Sequence, residues 1–462
     1  MGAAVTLLLA LACAACLARV AATLPLRVSF DPNEGWNAYR ALAAMTGGPL
    51  YPPHDSLLFN NYPPLSFYVV GVLGGAIGDY VMAGRIVSFL ATLAVAAEIQ
   101  VCLGLMGAGA SARLFAALVF VGGLLAFSDY VGMNDPQLLG HAIGLAGLVV
   151  LLRAPRTPAS AIAAALLMTL AGFIKHNLVA EPLALTVWLL LFDRRSAVWF
   201  ATSGVSFAVA GLLAFRLVHG AGLLEHLASA RLWSATLLAG NLRRWLLWSE
   251  IPLLSLAALL WLRRRDSHVV LCALYALASV AIAGVFAGGA GVDANIWFDA
   301  AIALSLGQGL ALEAMGAKAG LRAAAELAYV VPLVCGLALN WDASWLERDF
   351  WFRPLSAERE IAAGDIAFLR AQDGPAICEE LALCYWAGKP EAADLFNLGQ
   401  AFATGARDDE VFAAQVAAQR YSAAQFDSQS GVAMTARVRR AFRGAYRVGR
   451  SDDNGIIYVP GR

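Results

Sequence analysis

Residues 3–24, AAVTLLLALACAACLARVAATL, carry a single charge, Arg19, near their end. A helix of about 20 apolar residues crosses the hydrocarbon core of a bilayer, and this stretch has that length. The ALAC at 10–13 has the look of a lipoprotein cleavage site, but no positive segment precedes the run, and it is long for a signal peptide. It therefore reads as a retained first membrane helix. Further apolar runs follow at about 82–106, 112–128, 137–153, 158–174, 177–192, 197–216, 248–262, 268–286, 296–314 and 322–340. The expected fold is a polytopic α-helical membrane protein with about eleven spans, some short enough to need snorkelling side chains or shielding neighbours.

Composition agrees. Of 462 residues, 60% are apolar or aromatic and only 14% are charged, against about 25% charged in a soluble domain. Mean hydropathy is +0.66. The formal net charge is zero and no basic run exceeds Arg263, Arg264 and Arg265. That gives no sign of nucleic-acid binding. Cys13 and Cys16 sit in an apolar run and read as packing residues, whereas Cys378 and Cys384 lie in a polar tail where they can pair if it is extracytoplasmic.

Loop charge gives the orientation. With a cytoplasmic N-terminus, the inner flanks hold Arg113, Arg153, Arg156, Arg194, Arg195, the 263–265 triplet, Lys318 and Arg322. The short opposite loops are poor in cations apart from Lys175, as the positive-inside rule requires. Loops 25–81, 129–136, 217–247 and 287–295 then face outward, as does the C-terminal tail. Within 25–81, the Gly-rich apolar piece at 65–78 is too short to span and reads as a helix along the interface. Loop 217–247, with Trp233, Trp245, Arg231, Arg243 and Arg244, reads as interfacial helices anchored by aromatics. The expected organisation is a membrane unit over 1–340 and a soluble periplasmic unit over 341–462. In the latter, 376–378 and 455–459 read as strands among Ala- and Gln-rich helices of a small α/β domain.

Polar residues with chemical potential gather in the outer loops. Asp31-Pro32-Asn33-Glu34 follows the first span. As a helix start it is a capping pair; as chemistry, it is a general base or a metal- or phosphate-organising carboxylate. Asp135, before Pro136, has the same two readings. Lys175 and His176 interrupt an apolar stretch on the same side. Lys175 and Arg85 either snorkel or hold a phosphate. Glu98 and His141 are polar residues within spans, expensive in lipid and so inward-facing. In the tail, Cys378-Glu379-Glu380 and Asp394 read either as functional or, the preferred reading, as solvated surface.

This arrangement resembles the GT-C superfamily of polyprenyl-phosphate-sugar-dependent glycosyltransferases, among them relatives of protein mannosyltransferases, the aminoarabinose transferase and galacturonosyl transferases. The resemblance rests on an acidic motif in a long first external loop (Asp31, Glu34), a Gly/Tyr/Pro-rich stretch (Gly48-Pro49-Leu50-Tyr51 and Asn60-Asn61-Tyr62-Pro63-Pro64), Arg85 opening the second span, Asp135 in the second loop and Lys175 after the fifth helix. It departs from the common form in having Asp-Pro-Asn-Glu rather than adjacent carboxylates.

The resemblance implies a transferase at the outer face of a bacterial cytoplasmic membrane, taking a sugar from a polyprenyl-phosphate carrier to a lipid, glycan or protein acceptor. It implies Asp31 as base in an inverting reaction, with Glu34 and Asp135 assisting. The cations Arg85, Lys175, Arg243 and Arg244, or a divalent ion (Mg2+ or Mn2+) held by Asp31 and Asp135, would receive the lipid phosphate, with His176 a further substrate-binding candidate. Tyr62 would contact sugar or acceptor. The competing classes are a secondary transporter or flippase, with ionisable groups at the midplane, and a non-catalytic envelope assembly protein.

Overall fold

The computed structural model describes the chain except Met1, His54, Ala230, Ala317, residues 340–354 and 428–433, and Arg462. The side chains of 335–339 are also outside the description.

The first part is a bundle of helices: α1 (Gly2–Thr23), α2 (Pro32–Thr46), α3 (Leu65–Ile77), α4 (Tyr80–Leu105), α5 (Ala110–Phe127), α6 (Gln137–Arg153), α7 (Pro158–Ile174), α8 (Ala180–Phe192), α9 (Arg194–His219), α10 (Gly222–Leu227), α11 (Ala235–Leu262), α12 (Ser267–Phe286), α13 (Phe298–Ala314) and α14 (Ala319–Leu339). Six of them, α1, α4, α5, α9, α11 and α12, are long and apolar enough to cross a membrane. Four shorter apolar helices, α3, α6, α7 and α8, lie among them. Large side chains such as Leu8 on α1 and Leu217 on α9 point outward at 67% and 87% exposure. A soluble protein would bury them, whereas lipid would cover them.

The 65–78 piece is helical and packs against both α2 and α4, with Gly71 closing on Met45 and Ala41. Another expected segment turns out differently. Among its described residues, the 217–247 segment holds the short α10 and the first part of α11. From Ser234, whose hydroxyl caps the helix, α11 runs without a break into the expected span. No breaker separates the amphipathic and apolar halves, and Pro252 lies inside the continuous helix, so one long helix forms where two were expected.

Beyond the undescribed residues, the chain forms α15 (Leu355–Ala371), β1 (Ala376–Cys378), α16 (Leu381–Trp386), α17 (Leu395–Ala403), α18 (Glu410–Ala417), β2 (Ala423–Phe426), α19 (Ala436–Ala445), β3 (Tyr446–Asp452) and β4 (Gly455–Pro460). The sheet order is β1-β2-β4-β3, with β1 parallel to β2 and the other pairs antiparallel. Strands β1 and β4 match the expected ones; β2 and β3 are additional. Alternation of side chains sends Ile377, Ala424 and Phe426 into a core with α17, α18 and α19. Ala376, Cys378 and Ala423 face the other way, into a core with α15 and α16. Phe59 of the first loop enters the former core, and Val28, Ala38 and Val81 the latter. The bundle and the sheet unit thus share apolar cores along the 25–81 region.

Candidate active site

The site is built on the first turn of α2. Asp31 is its N-cap, extended at φ −158° and accepting from the Asn33 N–H at 2.7 Å, with Pro32 next. Both halves of the expected capping pair are present, but their side chains part. Glu34 points inward and is fully buried, accepting from the Phe30 N–H (3.0 Å), the Asn134 N–H (3.1 Å) and two Arg85 nitrogens (2.6 and 2.5 Å). Arg85 also donates to the Leu26 and Val28 carbonyls. The pair clamps α2, α4 and the 128–136 loop together. It leaves Glu34 no open face toward a substrate, and Arg85 is itself fully buried.

Asp135 and Lys175 form a second buried pair, at 3.0 and 3.2 Å. Asp135 Oδ1 also accepts from the Gln137 N–H at 2.8 Å, but Pro136 takes the N-cap position of α6, so the expected cap by Asp135 is displaced by one residue. Burial lowers the Lys175 pKa, but Asp135 and the Tyr62 hydroxyl outweigh it and hold it above the usual value. The Lys175 ammonium lies 4.8 Å from the Tyr62 ring centre. With both oxygens of Asp135 facing an ammonium, a divalent ion bridging Asp31 and Asp135 does not fit. Among the described residues no group of three or more His, Cys, Asp or Glu side chains is set to hold a metal ion.

Asp31 opens instead into a cavity of about 340 Å³. Its wall carries Asp31, Asp293, Glu379 and Asp394, the cation Arg231, the amides of Asn33, Asn61, Asn295 and Asn397, and the rings of Trp36, Tyr62, Tyr130 and Phe396. Burial pushes the Asp31 carboxyl up to about 7, reinforced by the charges of Glu34, Asp293 and Asp135 and opposed by the Asn33 N–H. Asp129 is raised by burial and then by Asp31 and Asp293.

A second cavity, about 360 Å³, continues from the first through Asn61, Tyr62, Arg231, Gly291, Val292 and Asn295. Its far side carries Lys175 and His176, then Trp233, Val285 and Phe286. One cavity is therefore rich in carboxylates, the other in cations and apolar side chains, and Arg231 stands where they meet. Its guanidinium donates to the Ala290 carbonyl and lies 5.5 Å from the Phe396 ring. Arg244 lines a smaller hollow of about 100 Å³ with Asp129 and Asp293, while Arg243 is exposed and lines none of these cavities.

Asp293 and Asn295 were not singled out from sequence, and Arg231 was read only as part of an interfacial loop. A signal existed: Asp293 is the sole charge in the outward 287–295 loop. The tail needs correction too. Asp394 is 2% exposed, accepting from the Trp36 indole N–H (3.0 Å) and from Asn397, and Glu379 lines the cavity. Cys378 and Cys384 are joined in a disulfide that spans Glu379 and Glu380. The Ser29 hydroxyl donates to Glu380 at 2.6 Å.

No family model matches the sequence, and no curated protein matches it. Among solved structures, the chain is similar to ArnT from Cupriavidus metallidurans in the apo state, with TM-score 0.65 and 16% identity over 96% of each chain. It is similar to the same protein bound to undecaprenyl phosphate, with TM-score 0.62 and 16% identity, again over 96% of each chain. A third likeness is to the archaeal oligosaccharyltransferase AglB from Archaeoglobus fulgidus, in complex with an inhibitory peptide and a dolichol-phosphate. There the TM-score is 0.52 at 10% identity, covering 100% of this chain and 74% of that one. At such identities the likeness is one of fold alone.

Proposed function

We propose that the chain is a glycosyltransferase of the outer face of a bacterial inner membrane, moving a sugar from a polyprenyl-phosphate carrier to an acceptor hydroxyl. The observation that carries this is the pair of joined cavities. A lipid-phosphate sugar has an apolar tail, an anionic phosphate and a neutral polar ring in series, and the two cavities offer matching surfaces in that order. Trp233, Val285 and Phe286 suit the tail, Arg231, Lys175 and His176 the phosphate, and the amides and rings around Asp31 the sugar. The two neighbours with bound polyprenyl or dolichyl phosphate lend the reading support.

In this reading Asp31 takes the proton of the acceptor hydroxyl as its oxygen attacks the anomeric carbon from the side away from the phosphate. The sugar–oxygen bond to the carrier breaks, and the lipid phosphate leaves with the bond's electron pair. A base is most effective with a pKa near the working pH, and Asp31 is pushed to about 7. Arg231 stabilises the charge that grows on the departing phosphate. The topology that goes with this, a cytoplasmic N-terminus and an external tail, is supported by the loop charges and by the Cys378–Cys384 disulfide. The shorter apolar helices would complete a set of about eleven spans.

One observation favours a transporter instead. Glu98 and Glu181 lie within membrane helices, each with a buried oxygen that has no hydrogen-bond partner among the described residues. The discriminating experiment is release of polyprenyl phosphate from a panel of lipid-phosphate sugars by detergent-solubilised protein, which a transporter does not catalyse. Asp31→Asn is the matching variant, because Asn also caps helices well and leaves the fold in place. Loss of about 10²- to 10⁴-fold in release is expected for a removed general base. Unchanged turnover by the folded variant would overturn the assignment.

A further inference from the structure

Arg231 lines both of the joined cavities, yet it sits on neither a helix nor a named strand. It lies in the connection between α10 and α11. A cation aids a departing phosphate most when its place is fixed beforehand. A long side chain that must be ordered at each turnover gives back part of what it contributes. What holds Arg231 therefore decides how well it can serve.

Two stretches of outer loop clasp each other at this point. The Ala290 N–H donates to the Leu232 carbonyl and the Ser234 N–H to the Gly288 carbonyl, both at 2.8 Å, and Trp233 pairs with Gly289 as an isolated antiparallel bridge. The Trp233 ring lies where a Cβ on Gly288 would be, and its indole N–H donates to the Val285 carbonyl at 3.1 Å. Arg231 prolongs the clasp by donating to the Ala290 carbonyl at 3.2 Å. An isolated pair of strands is marginal in water. This clasp is shorter still and depends on outside support.

Helix α17 of the tail supplies it. Phe396 and Gln400 are four residues apart and so share a helix face. Gln400 Oε1 accepts from the N–H of Leu232, the residue after Arg231, at 3.2 Å. The Phe396 ring lies 5.5 Å from the Arg231 guanidinium. The tip of the same ring rests on Gly291, where a Cβ would stand 2.3 Å from Cζ; Gly291 has φ +72°, the left-handed region that favours glycine. One face of α17 thus holds both sides of the clasp. The helix is also tied to the opposite side of the site. Its N-cap, Asp394, accepts from the Trp36 indole N–H, and Trp36 lies on α2, whose N-cap is Asp31. A chain of named contacts therefore runs from the Asp31 helix through α17 to Arg231.

We infer that Gln400 and Phe396 are positioning residues for Arg231, holding its guanidinium at the junction of the two cavities in a fixed place relative to Asp31. The tail unit then completes the site rather than merely covering it. The placement rests on the contacts above; the phosphate that Arg231 meets rests on the transferase reading. Gln400 lines neither of the joined cavities, and its oxygen is taken by the Leu232 N–H. Its effect on the reaction therefore passes through the Arg231 segment. A helix that only stapled the tail to the bundle would affect stability without regard to Arg231, and that difference can be measured.

The test is a double-mutant cycle on the full chain in detergent, read as release of polyprenyl phosphate. Gln400→Met removes the acceptor for the Leu232 N–H at similar side-chain length. It lowers kcat about tenfold with a much smaller change in donor KM, and has no further effect in an Arg231→Gln background. Equal losses in both backgrounds overturn the inference, as does unchanged kcat in the folded variant. If the melting curve shows that Gln400→Met does not fold, Phe396→Leu enters the cycle with the same expectations. Affinity for decaprenyl phosphate, which carries the charge of the departed group, gives the same cycle without turnover. Wild type that binds this lipid but releases none from any donor defeats the transferase reading alone. The affinity cycle then decides the positioning: a loss confined to the Arg231 background supports it, and a loss that persists in Arg231→Gln overturns it. Wild type with no affinity for the lipid overturns it as well.

Discussion

Glu34 and Arg85 meet face to face, Nε to Oε1 at 2.6 Å and Nη2 to Oε2 at 2.5 Å, with neither side chain exposed. A bidentate, charge-assisted contact of this kind is both strong and orienting. It locks the helix whose cap is Asp31 onto the second long helix, and Asn134 ties the second outer loop into the same knot. The Asn134 side chain fills the space a Cβ on Gly84 would occupy, 1.6 Å from its Oδ1.

Removing one member of this pair leaves an unmatched buried charge. Arg85→Met is expected to destabilise the protein by about 3–5 kcal/mol, seen as a lower melting temperature in detergent. Glu34→Gln combined with Arg85→Met should recover much of that loss, since no lone charge remains. A double variant as unstable as the single one would mean that the hydrogen bonds, not the charges, dominate.

Lys175 poses a different question, because it both neutralises Asp135 and lines the cation-bearing cavity. Lys175→Met alone strands Asp135 and should impair folding. Lys175→Met with Asp135→Asn restores the fold and exposes the binding role: the donor KM should rise about tenfold with kcat nearly unchanged, the signature of lost uniform binding. A folded double variant with wild-type KM would leave Lys175 as a purely structural partner.

Close contact across the two halves of the chain predicts a third outcome. A Cβ on Gly35 would lie 2.0 Å from the Ala382 nitrogen and 2.2 Å from the Leu381 carbonyl carbon. Both are backbone atoms next to the Cys378–Cys384 disulfide, so they cannot swing aside. Gly35→Ala should push α16 off α2, break the Trp36–Asp394 hydrogen bond and destabilise by about 1–3 kcal/mol. Transfer should fall further than stability, because Glu379 and Asp394 leave the cavity wall. Hydrogen exchange at 376–400 reads the displacement directly; unaltered protection there would refute it.

Much of this was legible in the chain. Apolar run length marked the expected spans to within a few residues, except that α11 begins at Ala235 rather than near 248, since lipid-facing segments announce themselves by composition. Asp31 was legible as a helix start, because Asp followed by Pro suits the cap and first helical position. What sequence could not show was pairing. Glu34, Arg85, Asp135 and Lys175 each looked like an available charge, and only their meeting in space shows two buried ion pairs. Asp394 looked solvated because its cover, Trp36, lies some 358 positions away in the chain. Strands β2 and β3 escaped notice because AAQF is short and YRVGRSD is mostly polar, as an exposed edge strand is.

The raised carboxyls set activity and stability on opposite courses with pH. Asp31 stands at about 7 and Glu380 at about 8, in each case chiefly through burial and then through neighbouring acids, Asp31 itself being one that raises Glu380. In an unfolded chain they would titrate near 3.9 and 4.3. A folded-state pKa above the unfolded one favours the protonated native form, so their stabilisation is complete below about 4 and is lost as pH rises through 7 and 8. Their contribution should therefore make the protein melt at a higher temperature at pH 5 than at pH 8. The transfer rate should climb over the same interval, because a base must be ionised to act. Asp293→Asn separates the two effects: with that charge gone Asp31 ionises more easily, and the acidic limb of the rate profile moves to lower pH. A limb that stays in place in Asp293→Asn, or that survives in Asp31→Asn, would assign the proton transfer to another group.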